Sequence, residues 1–175
     1  TATELIFGLP GETLESWKEV INKTLSYGFD SVSMNSLWLL KGSDLNQASA
    51  RKENQYVGKF KLAESAVTQY GDFISIERDE IAVQSKDYTF EDWKTFLKYQ
   101  INLIVGTLYG YGKELLYYAN SINIKPTELF DYMLNDPKKY PTINQLVEDY
   151  VHEFTSNMFD TEEELYSFIE DNVSK

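Results

Sequence analysis

One short segment has the residue types and spacing from which chemistry can be argued. Residues 8–13 read GLPGET and follow an apolar run that ends at Phe7. Gly8 lacks a Cβ, which lets a ligand approach the backbone closely, while Pro10 fixes the turn and Gly11 permits the bend that follows. In parallel α/β sheets and barrels, ligands bind at the carboxyl ends of strands. The segment therefore predicts a small-molecule site, without specifying the molecule.

The same segment is not a phosphate-binding loop. Such a loop needs a lysine to meet the terminal phosphates and a different glycine spacing. Glu12 stands where that lysine would be, and its carboxylate would repel phosphate. A nucleoside triphosphatase is therefore excluded.

Other catalytic candidates are few. His152 is the single histidine and the chain has no cysteine, so a His-rich metal site, a Cys–His pair and a thiolate-bound cluster are excluded within these residues. A Ser–His–acid triad remains formally possible, but no GxSxG motif is present. We interpret His152 as a helix-surface or partly buried residue. The acidic residues at 77–80 and 162–164 are interpreted as solvated, so the sequence predicts no catalytic residue and no metal ligand.

Composition narrows the class of protein further. The 175 residues suffice for one domain or slightly more, and 42% hydrophobic content excludes intrinsic disorder. The formal net charge is −12 and only Arg51 and Arg78 are arginines. Such a surface disfavours nucleic acid and anionic lipid as partners. The chain also lacks the residue layout of a signal peptide, and we expect a cytoplasmic protein.

The GLPGET segment is predicted to lie inside a βαβ unit. Residues 3–7 read as a buried strand, a helix follows with Thr13 or Ser16 as its N-cap and Gly28 as its end, and residues 29–40 read as a second strand. The two strands should be parallel, with a right-handed crossover.

The next residues are predicted to form a helix and a hairpin. Residues 44–70 carry a loose helical pattern that ends near Gly71. Residues 73–76 and 81–83 are apolar and flank the charged residues 77–80, which predicts a hairpin with a charged turn.

From Asp87 onward the pattern is helical. A wide apolar stripe predicts a central helix that Gly110 and Gly112 interrupt. Further helices are predicted over residues 114–120, from Pro126 through Leu134 and over 143–158, with a last helix capped by Asp160 or Thr161. We therefore predict a unit over residues 1–86 and a helical domain over 87–175.

Three stretches resemble one enzyme family. Residues 4–13 (ELIFGLPGET), together with Ser16 and Trp17, resemble the late-barrel motif of radical S-adenosylmethionine (SAM) enzymes, of the group that often carries a cobalamin-binding domain. Residues 36–45 resemble the following strand with its Gly-Ser exit, and residues 80–93 resemble the stretch that leads out of the barrel. The resemblance covers roughly residues 3–96.

The resemblance implies a fold and a cofactor site. The fold is mixed α/β: the last βα units of a partial parallel (β/α) barrel, followed by a mainly helical region. In related enzymes a Gly-x-Ile-x-Gly-x-x-Glu stretch lies against the adenine of SAM. Ile6 and Gly8 match its central pair, while Glu4 replaces the first glycine and Gly11 replaces the final Glu. The resemblance thus implies that Ile6, Gly8, Leu9 and Pro10 contact the cofactor.

The family's iron–sulfur cluster is bound by a CxxxCxxC loop near the first strand, and it cleaves SAM to a 5′-deoxyadenosyl radical. This chain lacks those cysteines and opens directly into a strand. We therefore expect the C-terminal part of a longer radical SAM oxidoreductase or transferase, inactive alone, whose partners are the missing N-terminal barrel and a small-molecule or peptide substrate. Bare strand edges predict self-association of the isolated piece.

A second interpretation belongs to a different class of protein. The chain would then be a self-contained acidic α+β interaction module without catalysis, and residues 87–175 would be its docking surface. Four tyrosines in that range are close in sequence: Tyr109, Tyr111, Tyr117 and Tyr118. Aromatic residues are enriched in interface cores, although such clusters more often reflect helix packing.

Overall fold

The chain folds into a mixed α/β structure with two small sheets and a mainly helical second half. A computed structural model describes the backbone of residues 1–70 and 73–173, and the side chains of these residues except 64–70, 73–76 and 173. The described strands are β1 (Ala2–Phe7), β2 (Ser31–Ser36), β3 (Val57–Tyr70), β4 (Phe73–Gln84) and β5 (Met158–Phe159). The described α-helices are α1 (Leu14–Ser26), α2 (Ala48–Asn54), α3 (Phe90–Leu103), α4 (Lys113–Ser121), α5 (Pro126–Leu134), α6 (Pro141–Ser156) and α7 (Glu162–Val173).

The strand–helix–strand prediction is confirmed. β1 and β2 are parallel, from the pair Ala2–Ser31 to the pair Phe7–Ser36, and α1 connects them. Thr13 is the N-cap of α1: its side chain accepts a hydrogen bond from the Ser16 amide. The parallel sheet has two strands in the described part of the chain.

The second strand is shorter than the predicted range of 29–40. β2 ends at Ser36, and the chain then turns toward β4 instead of continuing beside β1. Trp38 forms an isolated antiparallel bridge with Ile81, and the Leu39 amide donates to the Glu80 carbonyl at 2.7 Å. The backbone therefore connects the parallel pair to the second sheet.

The predicted helix over residues 44–70 is wrong for most of its length. After a 3₁₀ turn at Asp44–Asn46 only α2 is helical, and β3 follows as a strand. The spacing of the apolar residues in β3 fits either a helix or a strand, and pairing with β4 selects the strand. Glycine at position 58 leaves room for the Glu80 side chain, which an added Cβ would meet. The predicted helix end at Gly71 lies outside the described residues.

The predicted charged turn at residues 77–80 is also wrong, because these residues continue through β4. Arg51 donates two hydrogen bonds to the Glu80 carboxylate, at 2.9 and 2.6 Å, and Arg78 forms an ion pair with Glu162. Lys61 and Asp79 are cross-strand partners. The ion pairs of Arg78 and Glu80 offset part of the charge of this run, which makes it compatible with a strand. Glu80 is consequently largely buried rather than solvated.

The helical second half agrees with the pattern. Thr89 caps α3 in a capping box with Asp92, Pro126 occupies the first turn of α5, and Thr161 accepts from the Glu164 amide at the start of α7. α3 is central, with seven buried residues. It continues into a π-helical turn at Ile104–Leu108, a feature the periodicity did not predict.

One core serves both halves of the chain. Phe7 and Trp17 belong to the same cluster of buried residues as Trp93 and Phe96, and the Phe7 and Phe96 rings stack at 4.7 Å. No helix in the described ranges has the length and hydrophobicity needed to cross a membrane.

Candidate functional site

The sheet formed by β1 and β2 has one covered face and one open face. Leu5 and Phe7 point into the core, whereas Glu4 and Ile6 point the other way. A cavity of about 510 Å³ lies on the open face, near the carboxyl ends of both strands. Its lining residues are Glu4, Ile6, Leu9, Asn35, Ser36, Leu37, Trp38, Leu40, Ser43 and Leu45. This volume is within the usual range for small-molecule sites, roughly 300–1,000 Å³.

The cavity combines an apolar wall with one acidic group. Ile6 is 44% exposed and Trp38 is 46% exposed, which leaves an aliphatic surface and an indole ring available to a flat ligand. The Asn35 amide donates to the Glu4 carboxylate in the same lining. Among the residues that the structure describes, no lysine or arginine lines the cavity. The site is therefore suited to a flat aromatic group that carries positive charge nearby.

The GLPGET turn borders this cavity and is held by hydrogen bonds. Gly8 has a φ of +105°, a conformation that side-chain-bearing residues rarely adopt. Its amide donates to the Glu12 carboxylate at 2.8 Å, and its carbonyl accepts from the Tyr56 hydroxyl at 3.1 Å. A Cβ at Gly8 would lie 2.8 Å from the Tyr88 hydroxyl oxygen. The backbone conformation and this packing are thus sufficient reasons for glycine at position 8.

Ionisable groups gather behind the turn. Burial raises the pKa of Glu12, although the amides of Gly8 and Leu9 oppose that shift. Burial, together with the charges of Asp87 and Glu12, raises the pKa of Tyr56 to about 12. Burial also raises the pKa of Tyr88, whose hydroxyl donates to the Ala82 carbonyl. Both tyrosines therefore remain protonated donors at neutral pH.

The structure separates the four residues predicted to contact a cofactor. Ile6 and Leu9 line the cavity on the open face. Gly8 is buried beside it, and its amide and carbonyl both have partners within the chain. Pro10 is exposed and lies outside the cavity lining. Contact of a ligand with any of these four residues stays a prediction.

Several residues of the site were not predicted. Trp38 lines the cavity because the chain after β2 alternates, with Leu37 and Leu39 buried and Trp38 exposed. That alternation of buried and exposed residues follows the period of a strand, and it is the signal in the sequence that could have indicated Trp38 as a lining residue. Tyr56 and Tyr88 reach the turn through contacts 48 and 80 residues away in sequence, and no local pattern indicates them.

The residues present do not fit an iron–sulfur cluster. The chain has no cysteine, and among the described residues no group of three or more His, Asp or Glu side chains is placed to hold a metal ion. His152 is exposed on α6, in agreement with its interpretation as a helix-surface residue.

Comparison of the sequence with protein-family models and with curated proteins returns no match.

Proposed function

We propose that this chain is the C-terminal part of a radical SAM enzyme, and that the open face of β1 and β2 forms part of the wall that binds the adenosyl group. The observation that carries the proposal is the 510 Å³ cavity at the carboxyl ends of two parallel strands, with Ile6 and Leu9 in its lining. In barrels of parallel strands, ligands bind at this end.

The chemistry of the lining supports SAM as the ligand. The adenine ring is flat and matches the exposed surfaces of Ile6 and Trp38. The sulfonium and ammonium groups of SAM are cationic, and Glu4 supplies a carboxylate in a lining without basic residues. In the whole enzyme SAM supplies the adenosyl group for radical chemistry on a small-molecule or peptide substrate.

The partner in this proposal is the N-terminal part of the same barrel. β1 pairs with β2 and has no second neighbour among the described residues, so one of its edges is open to a further strand. We expect the coding sequence before Thr1 to specify a CxxxCxxC loop within about 200 residues, a typical domain length. A cobalamin-binding domain upstream and a cytoplasmic location complete the proposal.

Equilibrium dialysis with radiolabelled SAM tests the proposal on this chain. We expect weak, saturable binding of SAM, and we expect Ile6→Asp to reduce the affinity at least about tenfold. The new carboxylate lies in the apolar wall and would lose its hydration when the adenine ring covers it. Ile124→Asp is the matched control: Ile124 is 42% exposed and lies outside the cavity lining. Equal affinity in wild type and Ile6→Asp would contradict the proposal.

One observation favours the interaction module as a second candidate. Tyr109, Tyr111 and Tyr118 are 64%, 86% and 63% exposed, whereas Tyr117 is half-buried and its hydroxyl donates to the Phe29 carbonyl. Three tyrosines of the predicted cluster are thus available to a partner. Under this alternative, the upstream coding sequence would contain a gene boundary just before Thr1 and no CxxxCxxC loop.

A further inference from the structure

The helical half of the chain contains a second cavity, of about 230 Å³, between α3, α4, α5 and α6. Its walls include Ile101, Leu115, Met133 and Ile143, and no charged residue lines it. It shares no lining residue with the cavity on the sheet. An inference from this cavity is therefore independent of the SAM proposal.

The backbone beside this cavity is irregular. The π-helical turn at Ile104–Leu108 widens the end of α3, and the Tyr111 amide then donates to the Val105 carbonyl at 3.2 Å. Gly106 and Gly112 lie against each other: a Cβ on Gly112 would be 3.2 Å from the Gly106 Cα. π-helical turns inside α-helices occur frequently at functional sites. Here Val105 and Gly106 of that turn both line the cavity.

The cavity is apolar and partly open to solvent, because Tyr111, Leu115 and Leu146 in its lining are exposed. An apolar cavity of about 150 Å³ already accommodates benzene. The space here is therefore sufficient for a somewhat larger ring system.

We propose that this cavity binds a small, uncharged, aromatic molecule of one or two fused rings. The uncharged lining disfavours ions, since a charge inside it would lose its hydration without a partner. Tyr111 and Leu115, 86% and 53% exposed, form the mouth through which such a ligand enters.

Methionine methyl NMR tests this proposal with indole as the probe. The chain has three methionines: Met133 lines the cavity, Met34 is a buried residue of β2, and Met158 lies in β5. We expect indole to shift the Met133 methyl signal in a saturable manner and to leave the other two unchanged. The anion indole-3-carboxylate, similar in size, should bind at least about tenfold more weakly.

Val105→Phe is the variant that fills the cavity, and Leu108→Phe is its control. Leu108 belongs to the same π-helical turn, is 51% exposed, and does not line the cavity. We expect Val105→Phe to weaken indole binding at least about tenfold and Leu108→Phe to leave it unchanged. The methyl spectra also verify that both variants are folded.

Three results would overturn the proposal. One is the absence of a saturable Met133 shift up to the solubility limit of indole. Another is equal indole affinity in wild type and folded Val105→Phe. The third is a concentration-dependent dimer that Val105→Phe dissociates and indole does not, because a second copy of the chain would then be the occupant.

Discussion

At the scale of single residues, Gly8 decides the shape of the turn beside the sheet cavity. Its positive φ and its contact with Tyr88 exclude a side chain for two separate reasons. The sequence predicted that glycine at position 8 lets a ligand approach the backbone, whereas in the structure side chains of this chain, Tyr88 and Leu37, lie where a Cβ would be. The sequence could not show that Tyr88 fills that space, because the contact joins residues 80 positions apart.

Replacing Gly8 separates these two reasons. Gly11 is the matched control, since its φ is +81° and nothing lies within 4 Å of an added Cβ. Both Gly8→Ala and Gly11→Ala should incur the backbone cost of about 1–3 kcal/mol. Gly8→Ala should lose a further 1–3 kcal/mol or so through overpacking. Denaturant unfolding measures the difference, and equal losses in both variants would contradict the packing described here.

Glu12 makes the stability of the turn depend on pH. Because burial raises its folded-state pKa above 4.5, the native state binds the proton more tightly than the unfolded state does. The free energy of unfolding that Glu12 contributes is therefore fully present below its pKa in the unfolded chain. It is lost as pH rises through its pKa in the folded protein. Glu12→Gln keeps an acceptor for the Gly8 amide and removes the titration.

We expect Glu12→Gln to gain stability relative to wild type as pH rises from 4.5 toward neutrality. Urea unfolding at several pH values gives this difference. A constant difference across that range, or one that shrinks, would show that burial of Glu12 does not control its protonation.

Among the helices and strands, those with local sequence signals were predictable and those that depend on long-range pairing were not. The caps at Thr13, Thr89 and Thr161 are decided within four residues, so the starts of α1, α3 and α7 were predictable from the sequence. β3 and β4 depend on each other and on the Arg51–Glu80 pair, which a single-sequence pattern does not contain. The parallel pair of strands was predictable from the sequence. The partial barrel to which it would belong remains part of the proposed function.

The outer edge of β1 should mediate self-association. The Thr1 carbonyl accepts from the Ser31 amide and the Phe7 carbonyl accepts from the Leu37 amide, at the two ends of β2. By alternation the peptide N–H and C=O of Glu4 point to the open edge. Glu4→Pro removes the outward amide, and Glu4→Ala removes the same carboxylate while keeping that amide. We expect light scattering to show weak dimers for wild type and Glu4→Ala, and at least about tenfold weaker association for Glu4→Pro. A strictly monomeric wild type would count against an edge that needs a partner.

At the scale of the whole molecule, the two halves should unfold together. Phe96 on α3 stacks on Phe7 of β1 and meets Trp17 of α1 edge-on. Phe96→Ala should lower the free energy of unfolding by about 3–5 kcal/mol, and it should destabilise both halves of the chain. Hydrogen exchange should accelerate in α1 and β2 as well as in α6. Faster exchange confined to residues 87–175 would instead indicate two independent domains.

The central claim is that the open face of the parallel pair binds the adenosyl group of SAM. Trp38 reports on that face directly: it is 46% exposed, whereas Trp17 and Trp93 are buried. Acrylamide quenching of tryptophan fluorescence, measured during a SAM titration, therefore reports mainly on Trp38, because the two buried tryptophans are quenched little. We predict that SAM protects Trp38 from acrylamide in a saturable manner in wild type, and not in Ile6→Asp. Unchanged quenching at SAM concentrations that saturate the dialysis experiment would place the ligand elsewhere and contradict the claim.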